Sequence, residues 1–285
     1  MGPLRPAAPI TLSLGDVTHE CTTRALVMGV LNRTTDSFFA PAATYGLDDL
    51  YARAARLVAD GADLLDVGGV RAGPGEEVGE AEELDRVVGV VAALVARFDV
   101  PVSVDTWRAA VAKESFAAGA AMGNDISGFQ EPGYLEAAAA AGASVVATHI
   151  RLRPRMADPE PVYDDVVAAV RARLDSLAQR ALEAGVKADR IVVDAGYDLG
   201  KTPAHSLALL RGSPVLASLG YPLLCSASNK RFLGEHLSLP VDERGDASIA
   251  AAALGVTLGC RVLRVHDVRG TVRVRDTLAS VLEAA

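Results

Sequence analysis

The chain has 285 residues, half of them hydrophobic and only 5% aromatic, and a formal net charge of −8. This length and apolar share support one large core filled mainly by Ala, Val and Leu, and exclude a disordered chain. The negative balance, with no basic block, repels a phosphate backbone, so nucleic acid is not an expected partner.

The opening MGPLRPAAPI has too little apolar length for a signal peptide, and residues 1–20 read as a tail and lead-in to a single domain over residues 21–285. Short apolar runs then recur, each closed by a polar residue and followed by a stretch with helical spacing. In chain order they are ALVMGVL before Asn32, ADLLDVG around Asp66, VPVSV before Asp105, AAMGN around Asn124, ASVVAT before His149, RIVV before Asp194, PLLCSAS to Ser228, and RVLRV before His266. Between the fifth and sixth, Val166, Val170, Leu174, Leu177, Ala181 and Leu182 recur at three- and four-residue steps, marking one face of a helix that Gly185 ends. Gly61, Gly119 and Gly142 are similar stops. The weakly charged stretch over residues 247–260 is shorter than the roughly 20 residues of a membrane span, so no membrane partner is expected.

Continuous apolar runs are buried on both faces, and strands that alternate with helices pair in parallel through right-handed crossovers. Eight such units predict an α/β fold, a single-domain (β/α)8 TIM barrel. The rival, an open doubly wound sheet, usually places a glycine-rich phosphate loop after its first strand, where this chain reads LNRTTDSF.

Barrel strands converge at their C-terminal ends, so Asn32, Asp66, Asp105, Asn124, His149, Asp194, Ser228 and His266 are expected to ring one pocket. An Asp after a strand can simply cap the next helix. Carboxylates and carboxamides together suit a flat ligand rich in N–H donors and ring acceptors, a pteridine or purine-like ring. Lys201, Lys230, Arg264 and His266 form a late basic group where eight-fold barrels commonly hold phosphate. The run GYDLGKT is one residue too short for a P-loop, and His149, His205 and His266 lack a local metal spacing, so zinc is not expected. Cys21, Cys225 and Cys260, an odd number without C-x-x-C spacing, are expected as buried free thiols of a cytoplasmic protein.

From residue 26 to residue 282 the chain resembles the bacterial dihydropteroate synthases, which join a pterin diphosphate to p-aminobenzoate. The markers are MGVLNRTTDSF, DVGG, SVDTWRAAVA, GNDISG, Thr148-His149, VVDAGYDLGK, SASNKRFLGE and RVHDV, in this order at the predicted strand ends. The resemblance implies that Asp66, Asp105, Asn124, Asp194 and Lys230 hold the pterin ring. It implies further that Asn32, Arg264 and His266 hold the diphosphate, with Mg²⁺ at Asn32, and that Ser228 meets the second substrate, an aromatic amine. Asp105, Lys230, Arg264 and His266 would then carry the catalysis, the diphosphate leaving before the aniline nitrogen attacks a pterin-methyl cation. A homodimer is also implied, with residues 247–258 as the candidate contact helix.

The chain departs from the family on the loop after the second strand. The usual G-G-E-S-T-R-P-G reads Gly68-Gly69-Val70-Arg71-Ala72-Gly73-Pro74-Gly75, which removes a Thr and an Arg that close over the second substrate and the diphosphate. The family's S-R-K reads Ser228-Asn229-Lys230, and an aromatic expected near the pterin is Leu199. Two alternatives to a working synthase follow: a pterin-binding paralogue with weak or no synthase activity, using another acceptor or acting in regulation, and a methyltetrahydrofolate-corrinoid methyltransferase. The retained diphosphate set ranks the last lowest, since a methyl donor has no leaving phosphates.

Overall fold

The computed structural model describes residues 9–33, 46–73 and 77–283. The TTDSF part of the first marker, with Pro74 and Gly75, lies outside the described residues.

A short antiparallel hairpin, β1 (Thr11–Leu14) and β2 (Val17–Glu20), comes first. Eight parallel strands follow: β3 (Leu26–Asn32), β4 (Leu64–Gly68), β5 (Val102–Asp105), β6 (Met122–Asp125), β7 (Ser144–Thr148), β8 (Ile191–Asp194), β9 (Leu223–Cys225) and β10 (Cys260–Val265). They close into a barrel in which β10 pairs with both β9 and β3. The helices on the outside are α1 (Leu47–Ala59), α2 (Glu80–Arg97), α3 (Ala109–Ala117), α4 (Tyr134–Ala141), α5 (Val166–Glu183), α6 (Pro203–Arg211), α7 (Ser213–Ala217), α8 (Arg231–Leu237), α9 (Gly245–Thr257) and α10 (Val268–Glu283). The (β/α)8 barrel expected from the apolar runs is the fold.

The two-residue period of a strand sorts its side chains. Val27, Leu31, Leu65, Val67, Val104, Val145 and Val193 face outward into the layer beneath the helices. Their neighbours Met28, Leu64, Met122, Val146, Val192, Leu224 and Val262 face inward and form a second apolar cluster. One inward step further along the chain, the same strands present Asp66, Asn124, Asp194 and Arg264. The barrel is therefore apolar at its floor and charged at its mouth.

The lead-in does more than approach the domain. Ile10, Leu12, Leu14 and Cys21 belong to the inner cluster, so the hairpin seals the floor of the barrel. Ser13 Oγ donates to Asp189 Oδ2 at 2.6 Å and Cys21 N to Ile10 O at 2.8 Å. The helix expected to end at Gly185 is α5, whose N-cap Asp165 accepts from Val167 N and Ala168 N at 2.9 and 3.0 Å. Gly61, Gly119, Gly142 and Gly185 all adopt positive φ where helices end. Cys21, Cys225 and Cys260 are free and buried. Among the described residues no helix is long and apolar enough to cross a membrane.

Candidate active site at the barrel mouth

The centre of the mouth is a charge network assembled from strands far apart in the chain. Arg264 on β10 donates from Nε to Asp66 Oδ2 and from Nη2 to Asp105 Oδ2, both at 2.6 Å. The Asp66 carboxylate is fully buried and also accepts from Ser103 Oγ at 2.6 Å and Asn124 Nδ2 at 3.1 Å. Burial works against the Arg264 charge, but Asp66 and Asp105 outweigh it and raise its pKa. For Asp105 burial prevails over Arg264 and pushes the carboxyl up to about 7.

Asp194 closes the ring from β8. Its Oδ1 accepts from Gly196 N at 2.8 Å and its Oδ2 from Ser226 Oγ at 3.3 Å. Burial raises its pKa, while the Gly196 N–H and the charges of Lys230 and Lys201 oppose the rise. Only glycine fits at 196, where φ is +64° and a Cβ would sit 2.0 Å from His149 O. Lys230, the N-cap residue of α8, donates to Tyr197 O at 2.9 Å, and its charge acts on Asp105, Asp194 and His266.

His149 and Lys201 stand apart from this ring. Lys201 Nζ contacts His149 Nδ1 at 2.9 Å and donates to the carbonyls of His149, Gly196 and Leu199 at 3.2, 2.9 and 2.9 Å. Burial lowers its pKa to about 7. Lys201 therefore ties the loop after β8 to the end of β7, and the phosphate role expected of it is not what its hydrogen bonds serve. His149 is held at about 3 by burial and by Lys201, a neutral acceptor for that lysine.

His266 follows β10 and meets Ser228. Ser228 Oγ accepts from His266 N at 3.2 Å and lies 2.9 Å from His266 Nδ1. Which of Oγ and Nδ1 donates across this contact is set by the imidazole tautomer, since a hydroxyl can accept from the backbone N–H and still either give or take a proton at Nδ1. Burial and the Arg264 charge hold the pKa of His266 at about 3, so it is a neutral N–H donor and not a cation. Ser228, expected against the second substrate, thus orients His266 in the ligand-free chain.

Asn32 ends β3 against Gly68. A Cβ there would meet Asn32 Oδ1 at 3.2 Å, tighter than ordinary contact, and Asp105 Oδ2 at 3.6 Å, so the glycine lets these two oxygen-bearing side chains approach each other. Sequence reasoning passed over Ser103, Ser226 and Arg53. The two serines are signalled by inward parity on β5 and after β9. Arg53 sits on α1, its buried Nε and Nη2 without a hydrogen-bond partner among the described residues, and its charge acts on His266.

The rim is built from loops. Arg71, Ala72 and Gly73 follow β4, and Arg155 of the β7–α5 loop donates to them, from N to Ala72 O and from Nη1 to Arg71 O, both at 3.3 Å. Asn229, where the family has a cation, is turned away from the mouth. Its φ is +57°, its N donates to Ser248 Oγ at 2.9 Å, and Ser248 Oγ donates to its Oδ1 at 3.2 Å.

A closed barrel whose strand ends gather buried carboxylates, carboxamides and a guanidinium at one mouth is a small-molecule barrel enzyme. Residues 28–266 match the family described as pterin binding enzyme, and the chain belongs to that family. Among its relatives, the inactive dihydropteroate synthase 2 of Mycobacterium tuberculosis strain H37Rv is 42% identical over 266 residues, covering 90% of this chain and 83% of that protein. The dihydropteroate synthase of Haemophilus influenzae is 38% identical over 246 residues, covering 86% and 90%. The Yersinia pestis dihydropteroate synthase, solved as a sulfonamide drug complex, superposes with a TM-score of 0.92 at 39% identity, covering 97% of this chain and all of that one.

Proposed function

We propose that the protein is a dihydropteroate synthase-type transferase of folate biosynthesis, joining 6-hydroxymethyl-7,8-dihydropterin diphosphate to p-aminobenzoate with release of diphosphate. The observation that carries this is the Asp66–Arg264–Asp105 network with Asn124 and Asp194 around it, five groups from five strands at one mouth. Asp66, Asn124 and Asp194 supply acceptors for the ring N–H groups and Asn124 a donor for a ring acceptor, with Lys230 alongside. Arg264 and the imidazole of His266 stand where the leaving diphosphate develops charge, and Asp105 stabilises the cationic ring as the C–O bond breaks. The nitrogen of p-aminobenzoate then attacks the methylene carbon and loses its proton.

The donor set at Asn32 fits Mg²⁺. This ion keeps several waters and binds through one or two protein oxygens together with substrate phosphates, and Asn32 Oδ1, with the Asp105 carboxylate across Gly68, supplies oxygen donors of that kind. Bound there, Mg²⁺ supplies charge against the diphosphate. Three free buried thiols support a cytoplasmic setting, and exposed Leu254 on α9 supports a two-fold contact between copies.

A second reading has its own support. Ala72 and Gly73 leave the loop after β4 without the side chains that close the family's second-substrate site, and the relative at 42% identity is named inactive. Under that reading the chain binds the pterin diphosphate and transfers it slowly, to another acceptor, or not at all. Titrating pterin diphosphate with Mg²⁺ into the chain and then adding p-aminobenzoate separates the two. Dihydropteroate and diphosphate released in equal amounts support the synthase, binding without release supports the paralogue, and no binding of the diphosphate refutes both.

A further inference from the structure

The diphosphate end of the mouth is short of positive charge. Asn32 brings none, His266 is neutral, and Ala72 and Gly73 add nothing from the loop after β4. Arg264 is already shared between the Asp66 and Asp105 carboxylates, and Lys230 donates to Tyr197 O. A diphosphate carries several negative charges and accepts many hydrogen bonds, so it calls for more than one engaged guanidinium.

A further cation stands beside that end, on α1. Leu50, Ala54 and Leu57 form the buried stripe of this helix. Tyr51, on one flank of the stripe, lies under Arg97 of α2, so Arg53, on the other flank, faces α10. The two helices meet over β3, where a Cβ on Gly29 would touch Leu57 Cδ1 at 3.2 Å and Val268 Cγ2 at 3.3 Å. From that meeting point Arg53 lies one turn up α1 toward the mouth, His266 just precedes Val268, and Asn32 lies further along β3 in the same direction. Arg53 is half-buried, yet its Nε and Nη2 are buried without a hydrogen-bond partner, and no carboxylate pairs with it among the described residues. Its charged neighbour on the helix is Arg56, which repels it. Taking an unpaired guanidinium out of water costs stability, so nothing inside the ligand-free chain accounts for its place.

We propose that Arg53 is a further diphosphate-binding residue, reaching the ligand from α1 beside His266 and Asn32; this role rests on the reading of the mouth as the pterin diphosphate site. The diphosphate gives the guanidinium the anionic partner that the chain itself withholds. A planar fork matches phosphate oxygens in charge and geometry, and with no internal carboxylate to leave, Arg53 meets the ligand without first breaking a bond. Arg264 differs in this respect, because its carboxylates compete with the ligand for it. Arg53 is thus the helix-borne counterpart of the charge absent from the loop after β4. Its cost falls on the ligand-free chain, where an apolar side chain of similar length would be better tolerated.

The test compares wild type with Arg53→Met and Arg53→Lys in the full chain. Calorimetry with Mg²⁺ present measures binding of pterin diphosphate and of bare 6-hydroxymethyl-7,8-dihydropterin, and a thermal melt measures the ligand-free proteins. Arg53→Met is expected to bind pterin diphosphate at least roughly tenfold more weakly and to shift the bare pterin less than about twofold, since only the diphosphate takes the charge-assisted bonds. Its Tm without ligand should equal or exceed that of wild type, which a structural role for Arg53 would not allow. Arg53→Lys should recover part of the lost affinity, as a point charge without the fork. Unchanged pterin diphosphate affinity in Arg53→Met, equal losses for both ligands, or a fall in Tm or failure to fold overturns the inference. If wild type binds pterin diphosphate and Arg53→Met binds it equally well, this role alone falls and the synthase reading stands. If wild type does not bind pterin diphosphate, both fall.

Discussion

The inner ring of the mouth and its outer rim are built on different principles. In the ring, Asp66, Asp105, Asn124, Asp194 and Arg264 ride on or directly at the ends of strands, so barrel register fixes their spacing, and partners from other strands satisfy each group before any ligand arrives. On the rim, Ala72, Gly73, Arg153 and Arg155 sit on loops, and two hydrogen bonds of 3.3 Å join the two sides. Strand-borne groups are preorganised by the fold itself, whereas loop-borne groups can change without disturbing it. In the proposed reading the pterin chemistry belongs to the ring, while Ala72 and Gly73, which depart from the family's usual loop pattern, sit on the rim.

The largest effect should come from the centre of the ring. Arg264→Ala leaves the fully buried Asp66 carboxylate without its cation, and removing one partner of a buried pair costs about 3–5 kcal/mol. Urea denaturation at pH 7 should show that loss, together with weakened binding of pterin diphosphate. Arg264→Lys should rescue little, because one ammonium cannot bridge two carboxylates in fork geometry. A stability within 1 kcal/mol of wild type, by the same scale, would mean that the ring is not held by this pair.

On the rim the sharper test is a gain. Gly73 has room for a side chain, since a Cβ there meets Arg71 Nε, Nη2 and Cζ at 3.5, 3.7 and 4.0 Å, ordinary contact distances, and its φ is not positive. Ala72→Thr with Gly73→Arg is expected to raise the rate of dihydropteroate formation by about 10²-fold, the usual effect of one donor aimed at developing charge. An unchanged rate, with pterin diphosphate still bound, would shift the weight to the second reading of the site.

How much of this was legible in the sequence follows the same division. Each apolar run ending in Asn, Asp or His marked a strand, because burial on both faces forces a continuous run, and for Asp66, Asp105, Asn124 and Asp194 convergence also brought the polar end into the mouth, whereas His149 turned to Lys201. Parity along β5 would also have exposed Ser103, two residues before Asp105. Lys201 could not be judged this way. Whether a lysine faces a ligand or the chain depends on how many carbonyls a loop turns toward it, and loop geometry leaves no period in a sequence. Arg155 is similar, since its place at the rim depends on a single left-handed residue. The hairpin was missed for another reason: strands of four residues are too short to show alternation above noise.

The smallest effect concerns Asp105, a ring carboxyl pushed up to about 7. Burial pushes Asp105 up to about 7 against the pull of Arg264, so in the ligand-free chain its contribution to stability is fullest below the ordinary carboxylate range and is lost as pH rises through about 7. Ligand binding runs the other way, because ring N–H groups need the carboxylate. With a pKa of about 7 the ionised fraction rises from roughly a tenth at pH 6 to nine tenths at pH 8, so the affinity for bare 6-hydroxymethyl-7,8-dihydropterin should increase about tenfold over that window. Asp105→Asn should bind the pterin more weakly and remove the dependence, leaving a flat calorimetric profile. A wild-type affinity that is equally flat from pH 6 to pH 8 would show that Arg264 keeps Asp105 ionised throughout the window, and would overturn its assignment as the titrating group.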